Sequence, residues 1–408
     1  MNKNYNPSSV LFKASILAIS IDATASGVVS GAIPVMQESF SHAPSYLVES
    51  ISTLPSLSIL LFVLLSSLVT KRIGYKKTVL LGMMISFLSG IAPFFLDNIY
   101  LILVMRFLFG AGIGLLNPLS YSIISYFYSG NERAQMFGLI STVSNFASVI
   151  LTALAGLLLQ YTWRASFLTY FVLLAVFFLV LFFVPDVKIN EESTEKTSFF
   201  SELKTINKTV LLYGVCMFVL FSVFMTVNIK LGSLVVENGY GTATQASFLL
   251  SLSNLTGIII GVIFGFVYKN LGHKLFPISL AVMSSAYFLI AQSTSLVMTG
   301  GIIVLLASAF SFLSTFIFLR VSQLAPKEMN NVVSSMMLVA INLGAFLCPY
   351  TMSLIAKISG SSTPNASLTA CGFIVLGLFA TVVLGKLFLK NKINTASFDE
   401  LTDETSVK

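Results

Sequence analysis

Asp22 is a carboxylate in the middle of a long apolar stretch, where it could take up and release a proton. It lies about halfway along the first hydrophobic segment, in Ala18-Ile-Ser-Ile-Asp22-Ala-Thr-Ala-Ser-Gly27. Acids at such a depth are rare unless they are paired, hydrated or protonated. The residue therefore indicates proton coupling, and the alternative is a structural acid held by hydrogen bonds.

Arg106 is the second charge predicted to lie at membrane depth. An arginine there costs about 3 kcal/mol on insertion scales, so it should face the protein interior and have a partner. Asp22 is the partner that we expect, and together the two residues form the candidate proton-coupling site. The alternative is that Arg106 extends along its own helix to reach the interface.

Weaker candidates are Glu49, Lys230 and a set of amides. Glu49 falls in the first turn of a predicted helix, where the helix dipole and nearby water stabilise a carboxylate, and we favour this over a coupling role. Lys230 either reaches the outer interface or lines a cavity for an anionic substrate. Amides in predicted helices could bind substrate or only join helices. They are Asn117, Asn145, Asn228, Asn254 and Asn342.

The elements that must position these residues are membrane-spanning helices. The chain has 56% hydrophobic and 10% charged residues, with a mean hydropathy of +0.92, too few polar groups to cover a soluble globule of 408 residues. A span needs about 20 apolar residues. Twelve stretches qualify: 10–34, 46–70, 76–96, 99–127, 134–160, 164–185, 209–235, 242–268, 273–294, 296–319, 331–356 and 366–390.

A repeated loop divides the chain into two halves. Ser67-Leu-Val-Thr-Lys-Arg-Ile-Gly-Tyr-Lys76 is echoed by Gly265-Phe-Val-Tyr-Lys-Asn-Leu-Gly-His-Lys274. Each copy joins the second and third helix of a half, which predicts duplicated six-helix units. The predicted domains are the N-terminal half 1–185, a cytoplasmic linker 186–208, the C-terminal half 209–390 and a disordered tail 391–408.

The positive charges predict the orientation. Most of the 23 Lys and Arg residues fall in the loops that share a side with both termini. Cytoplasmic loops retain these residues, so we expect a multi-pass protein of the cytoplasmic membrane with both termini inside. The net charge of +7 is then a topology signal, and no nucleic-acid partner is expected. The three cysteines fall within spans and are expected to be buried, without disulfides.

The repeated loop resembles that of the major facilitator superfamily, which usually reads Gly-x-Leu-Ala-Asp-Arg-x-Gly-Arg-Lys. Arg72, Gly74 and Lys76 match, whereas Lys71 stands at the acidic position. The resemblance implies an all-α membrane protein with twelve transmembrane helices in two pseudo-symmetric halves. In the family the acid latches one conformation, so its replacement predicts a weaker latch or only an orienting role. The second copy contributes Lys269, Gly272 and Lys274. Gly74 and Gly272 are predicted to form tight reversals of the chain.

Two further signatures are similar to that superfamily, and the second of them is similar to its efflux members. Arg106 is followed by Phe-Leu-Phe-Gly110-Ala-Gly112-Ile-Gly114, like the family's intramembrane arginine and glycines. The turn Trp163-Arg164-Ala-Ser-Phe167 is similar to the Trp-Arg-x-x-Phe turn of drug:proton antiporters, although Trp163 could equally be an interfacial anchor. The fifth helix departs from the antiporter pattern, because Leu151-Thr152 replaces its Gly-Pro pair.

These features predict a secondary transporter and not an enzyme. The two histidines, His42 and His273, fall in loops on opposite sides, where they cannot serve one catalytic site. We expect alternating access with proton-coupled efflux of a small amphipathic molecule, and uptake by proton symport as the alternative. The expected energy source is the proton gradient, with no cofactor and no metal. The expected partners are a small-molecule substrate and the bilayer, with the protein as a monomer.

Overall fold

The described part of the chain forms twelve main helices, joined in places by short 3-10 segments. The computed structural model describes residues 9–185, 208–324 and 330–403, and no strand occurs within these ranges. Helix α1 has three pieces, the α-helix Val10–Thr24, the 3-10 helix Ala25–Ala32 and the α-helix Ile33–Ser39. The others are α2 (Ser45–Ile73), α3 (Tyr75–Ile91), α4 (Ile99–Phe127), α5 (Gly130–Leu158), α6 (Phe171–Phe183), α7 (Lys208–Glu237), α8 (Ala243–Leu271), α9 (Leu275–Ala291), α10 (Leu296–Leu324), α11 (Asn330–Ser359) and α12 (Pro364–Asp403).

The helices have the length and composition of membrane spans, as predicted. Ten are long and apolar enough, and α1 qualifies as an eleventh if its two arms, which meet at 47°, form one span. One of the ten is the continuous run Ala243–Ala291. Its 49 residues are more than twice what a bilayer needs, and Gly272 divides it into α8 and α9. The predicted twelve-helix architecture is therefore consistent with the structure.

Helix ends follow local sequence signals. Thr242 and Gln245 form a reciprocal capping box at the start of α8. Gly74 ends α2 with a φ of 89°, and Gly272 ends α8 with a φ of 51°. Only glycine adopts such backbone angles without strain. The tight reversals predicted for both copies of the repeated loop are confirmed.

Three apolar cores hold the bundle together. The core of the C-terminal half is built from α7–α12, whereas the N-terminal half has two clusters. One N-terminal cluster includes Ile16 and Met83, and the other includes Val28 and Phe109. Asp22 follows Ile16 along α1 and precedes Val28. The acid therefore lies between two apolar layers, which agrees with its predicted position in the middle of the first span.

The glycines after Arg106 allow α4 to contact its neighbours closely. A Cβ atom at Gly110 would lie 2.3 Å from the carbonyl oxygen of Pro55 on α2. A Cβ atom at Gly112 would lie 2.5 Å from the carbonyl oxygen of Gly82 on α3. Small residues at such crossings let helix backbones approach. The glycine motif of α4 thus serves helix packing.

The two halves are in contact near Glu49. We call the end of the bundle with connections at 40–44, 159–163, 238–242, 292–295 and 360–363 the Glu49 end, and the opposite end, with Gly74, the Gly74 end. At the Glu49 end, a Cβ atom at Gly156 of α5 would lie 2.6 Å from Cβ of Ser247 on α8. A Cβ atom at Gly31 of α1 would meet the same serine. At this end, the backbone of the N-terminal half at Gly31 and Gly156 therefore packs directly against the side chain of Ser247 in the C-terminal half.

Some predicted segments differ from the structure or fall outside it. Residues 186–207 of the predicted linker lie outside the described residues. Helix α12 continues to Asp403, into the predicted tail, whose disorder stays a prediction. Trp163 is only 4% exposed and packs on Phe40 at a ring distance of 5.5 Å. The interfacial-anchor interpretation of Trp163 is therefore wrong, because the indole belongs to the apolar core of the N-terminal half.

Candidate functional site

Asp22 is buried at the point where α1 changes from an α-helix to a 3-10 helix. Its side chain is 1% exposed, and its Oδ2 accepts a hydrogen bond of 2.7 Å from Ser86 Oγ on α3. The other oxygen, Oδ1, has no partner among the described residues. Buried polar atoms nearly always have a partner, so an orphan oxygen on an acid is a candidate proton acceptor.

Arg106 is completely buried, and its guanidinium binds backbone and phenol oxygens. Nε donates to the carbonyl oxygen of Ile51 at 2.7 Å, and one terminal nitrogen donates to the hydroxyl of Tyr170 at 3.0 Å. The other terminal nitrogen donates to the carbonyl oxygen of Ser26. Tyr170 in turn donates to the carbonyl oxygen of Ala25 at 3.0 Å. Arg106 and Tyr170 thus bind the carbonyls that the 3-10 segment of α1 presents.

The predicted ion pair between Asp22 and Arg106 is wrong. The three described acceptors of Arg106 are two carbonyls and a phenol, and the described donor to Asp22 is Ser86. The guanidinium is instead occupied by the carbonyl of Ile51 on α2, the phenol of Tyr170 and the carbonyl of Ser26, which lies in the 3-10 segment after Thr24. Arg106 also lies 4.7 Å from the centre of the Phe109 ring, so an aromatic face contributes to stabilising its charge. Both residues are buried as predicted, but in adjoining networks.

Glu49 and Lys230 form an ion pair that joins the two halves. Lys230 Nζ on α7 lies 2.5 Å from Glu49 Oε1 on α2, with side chains 11% and 3% exposed. Gln37 donates to the same oxygen at 3.4 Å and accepts a hydrogen bond from Ser233 of α7 at 3.3 Å. The prediction that nearby water stabilises Glu49 in the first turn of its helix is therefore wrong, because Glu49 is buried against Lys230. Lys230 does not reach the interface either, because it points at the partner half.

The candidate amides do not converge on one site. No hydrogen bond joins any two of the five within the part of the chain that the structure describes. Asn228 donates to the carbonyl of Phe224 at 3.2 Å, and Asn342 to that of Leu338 at 2.9 Å, each within its own helix. Of the other three, Asn145 is exposed, and Asn117 and Asn254 are half-buried. Substrate binding by the amides stays a prediction.

The repeated loops lie at the Gly74 end. Lys76 Nζ donates to the carbonyl of Leu181 near the end of α6 at 2.8 Å, so this loop lysine contacts a neighbouring helix end. The remaining basic residues of both loops are exposed. They are Lys71, Arg72, Lys269 and Lys274. The gating role of the two loops stays a prediction.

A cleft opens between the halves at the Glu49 end. Its volume is about 610 Å³, within the range of small-molecule sites. Glu49 and Lys230 line it, together with the first turn of α2 and one face of α11. Sequence reasoning did not find this cleft, because its walls come from both halves.

Three residues of the site were missed from the sequence. Tyr170 lies three positions after Phe167 of the Trp163 turn, and this proximity is the one sequence signal that could have identified it. Ser86 and Gln37 carry no signal, because serine and glutamine are common in helices for other reasons. Their roles depend on which helices meet.

Comparisons with known proteins agree with this architecture. A family model described as Major Facilitator Superfamily matches residues 15–349. The fold is similar to that of the nucleoside transporter NupG, with a TM-score of 0.75 at 10% identity, covering 91% of this chain and 98% of that chain. It is also similar to the xylose transporter XylE from E. coli, with a TM-score of 0.68 at 15% identity over 91% and 94% of the chains.

A third solved structure is a POT family transporter in complex with 5-aminolevulinic acid. Its TM-score is 0.69 at 14% identity, with 91% of this chain and 95% of that chain covered. At such low identities the three likenesses show a common fold.

Proposed function

We propose a specific transport activity for this chain, which belongs to the major facilitator superfamily. Membership and the shared fold make the chain a membrane transporter and not an enzyme. The proposed activity is proton-coupled efflux of a small amphipathic molecule across the cytoplasmic membrane by alternating access. The proposed orientation puts both termini inside and the Glu49 end outside, in line with the distribution of Lys and Arg.

The observation that carries proton coupling is the buried carboxylate of Asp22. One of its oxygens accepts from Ser86 and the other has no partner among the described residues. Arg106, the counter-charge predicted from the sequence, is bound to other oxygens. A carboxylate held in an apolar layer without a cation is favoured in its neutral, protonated form. Asp22 is therefore the group proposed to carry the proton.

The place of Asp22 in α1 connects proton binding to conformation. The acid lies three residues before Ala25, where α1 changes its helix type and bends. Charging the side chain favours hydration, and hydration requires that the surrounding helices part. Protonation of Asp22 thus biases which side of the bundle is open. Efflux, rather than uptake, is supported by the turn from Trp163 to Phe167 that resembles drug:proton antiporters.

The test is a substrate screen in everted membrane vesicles with an imposed pH gradient. Accumulation of a substrate inside everted vesicles supports proton-coupled efflux if an acidic lumen drives it and a protonophore abolishes it. Accumulation in right-side-out vesicles alone supports the symport alternative. Transport of a compound that is indifferent to the pH gradient contradicts proton coupling.

A further inference from the structure

The cleft at the Glu49 end has an excess of positive charge. Among the residues that line it, Lys230 and Lys357 are cationic and Glu49 is the one acid. Helix α2 also begins there at Ser45, without a side-chain cap, so the N–H groups of its first turn face this end. A helix N-terminus and two ammonium groups both favour an anion.

The ion pair on the floor of the cleft has unused hydrogen-bonding capacity. Lys230 Nζ carries three N–H groups, and its described acceptor is Glu49 Oε1. The side chain of Lys230 is nearly buried, so its charge is largely removed from water and is strongly attracted to any anion that reaches it. A second carboxylate in the cleft would therefore compete with Glu49 for the same ammonium group.

The wall that α11 contributes to the cleft is partly apolar. Pro349, Met352 and Ala356 follow one another at helical spacing along α11 and line the cleft. Hydroxyls lie beside them at Ser353 and Ser361. A ligand that fits both surfaces has a negative head group and a short apolar body.

We propose that this cleft binds a small amphipathic carboxylate, whose head group lies between Lys230 and Lys357 and displaces Glu49 from Lys230. This inference rests on the proposed transport function and names the chemical class of its substrate. Displacement of Glu49 removes the ion pair between the halves, so occupancy of the cleft favours their separation. The cleft is thus the place where substrate enters or leaves at this end.

The test measures binding of matched carboxylate and amide pairs to the full chain in lipid nanodiscs by calorimetry. The probes are benzoate against benzamide and hexanoate against hexanamide, at constant ionic strength and without a pH gradient. At least one carboxylate is expected to bind, while its amide is not. Equal binding of both members of each pair, or no binding of either carboxylate, overturns the proposal.

Three variants locate the site. Glu49→Gln removes the competitor and is expected to strengthen carboxylate binding by about tenfold or more, the scale of a charge-assisted hydrogen bond. Lys357→Gln, at an exposed rim residue that endangers no packing, is expected to weaken binding by about two- to fivefold. Lys77→Gln removes an exposed lysine at the Gly74 end and should change nothing. Weaker binding in Glu49→Gln, or unchanged binding in Lys357→Gln, overturns the proposal.

A fourth variant separates this proposal from the proposed coupling mechanism. Asp22→Asn is expected to bind the carboxylate as the wild type does, because Asp22 does not line the cleft. Loss of transport in Asp22→Asn with intact binding supports both proposals. Intact transport with intact binding contradicts proton coupling at Asp22 and leaves the carboxylate site supported.

Discussion

Glu49 of α2 and Lys230 of α7 are 181 positions apart in the chain, and their charged atoms are 2.5 Å apart. The pair is nearly buried and belongs to both halves. Breaking a buried pair by removing one partner typically costs about 3–5 kcal/mol, because the other charge is left without compensation. A conformation that brings the remaining charge back to water lowers this cost. The pair therefore stabilises contact between the halves at the Glu49 end.

We predict that either neutral variant, Glu49→Gln or Lys230→Gln, shifts the protein toward separation at the Glu49 end. The remaining charge is hydrated when the halves part. Spin labels at exposed positions 161 and 294, in a cysteine-free chain, measure the separation by electron–electron distance distributions.

The charge-reversed double variant Glu49→Lys with Lys230→Glu is the control for this prediction. It restores an ion pair in the opposite sense and should return the distribution toward that of the wild type. If the double variant is as open as the two singles, the charges do not hold the halves together and the packing around them does.

We predict that Asp22→Asn abolishes gradient-driven transport without loss of folded protein. An asparagine oxygen can still accept the hydrogen bond from Ser86, but the amide cannot carry a proton. Asp97→Asn is the matched control, since Asp97 is exposed and its ion pair with Arg164 contributes about 0–1 kcal/mol. Accumulation by Asp22→Asn at the level of Asp97→Asn would show that the acid is structural.

Tyr170→Phe is expected to destabilise the N-terminal half. The phenol hydroxyl accepts from Arg106 and donates to the carbonyl of Ala25, and both partners are left without it in the variant. Loss of a buried group of this kind costs about 1–3 kcal/mol. The measurement is the apparent Tm in detergent, with Tyr161→Phe, at an 80% exposed position, as the control. Equal Tm values for the two variants would show that the network contributes nothing to stability.

Sequence reasoning succeeded where the signal is local or repeated. Hydropathy placed the helices. The repeat identified Gly74 and Gly272 as sharp reversals, because glycine is the residue that adopts a positive φ without strain. Depth along an apolar stretch also predicted the burial of Asp22 and Arg106. These features depend on residues close together in the chain or on copies of one segment.

The partners of the buried charges depend on packing and could not be predicted in the same way. Arg106 binds the backbone carbonyls of Ser26 and Ile51. Every residue type carries such a carbonyl, so the sequence does not show which ones a buried arginine will bind. Glu49 of α2 meets Lys230 of α7 because the two halves approach each other at the Glu49 end. Two charges in separate halves give no spacing pattern that could link them.

Lys71→Asp is predicted to favour the outward-facing state, in which the Gly74 end is closed. It restores the acid that the family has in this loop, next to Arg72 and the helix ends. Turnover should change more than substrate affinity. Lys77→Asp makes the same charge change at an exposed neighbouring position and is the control. Identical distance distributions for the two variants, with labels across the Gly74 end, would leave the loop lysines with an orienting role.

Gly156→Ala is predicted to open the Glu49 end. The added Cβ would lie 2.6 Å from Cβ of Ser247 and 3.5 Å from the carbonyl oxygen of Thr244, so α5 and α8 must move apart. Gly138→Ala is the matched control on the same helix, because a Cβ there meets nothing within 4 Å. Both changes raise helix propensity by about 1 kcal/mol, so their difference isolates the contact between halves. Labels at 161 and 294 should report a larger separation for Gly156→Ala than for Gly138→Ala. The same separation in both variants would mean that the contact between α5 and α8 accommodates the methyl group without opening the Glu49 end.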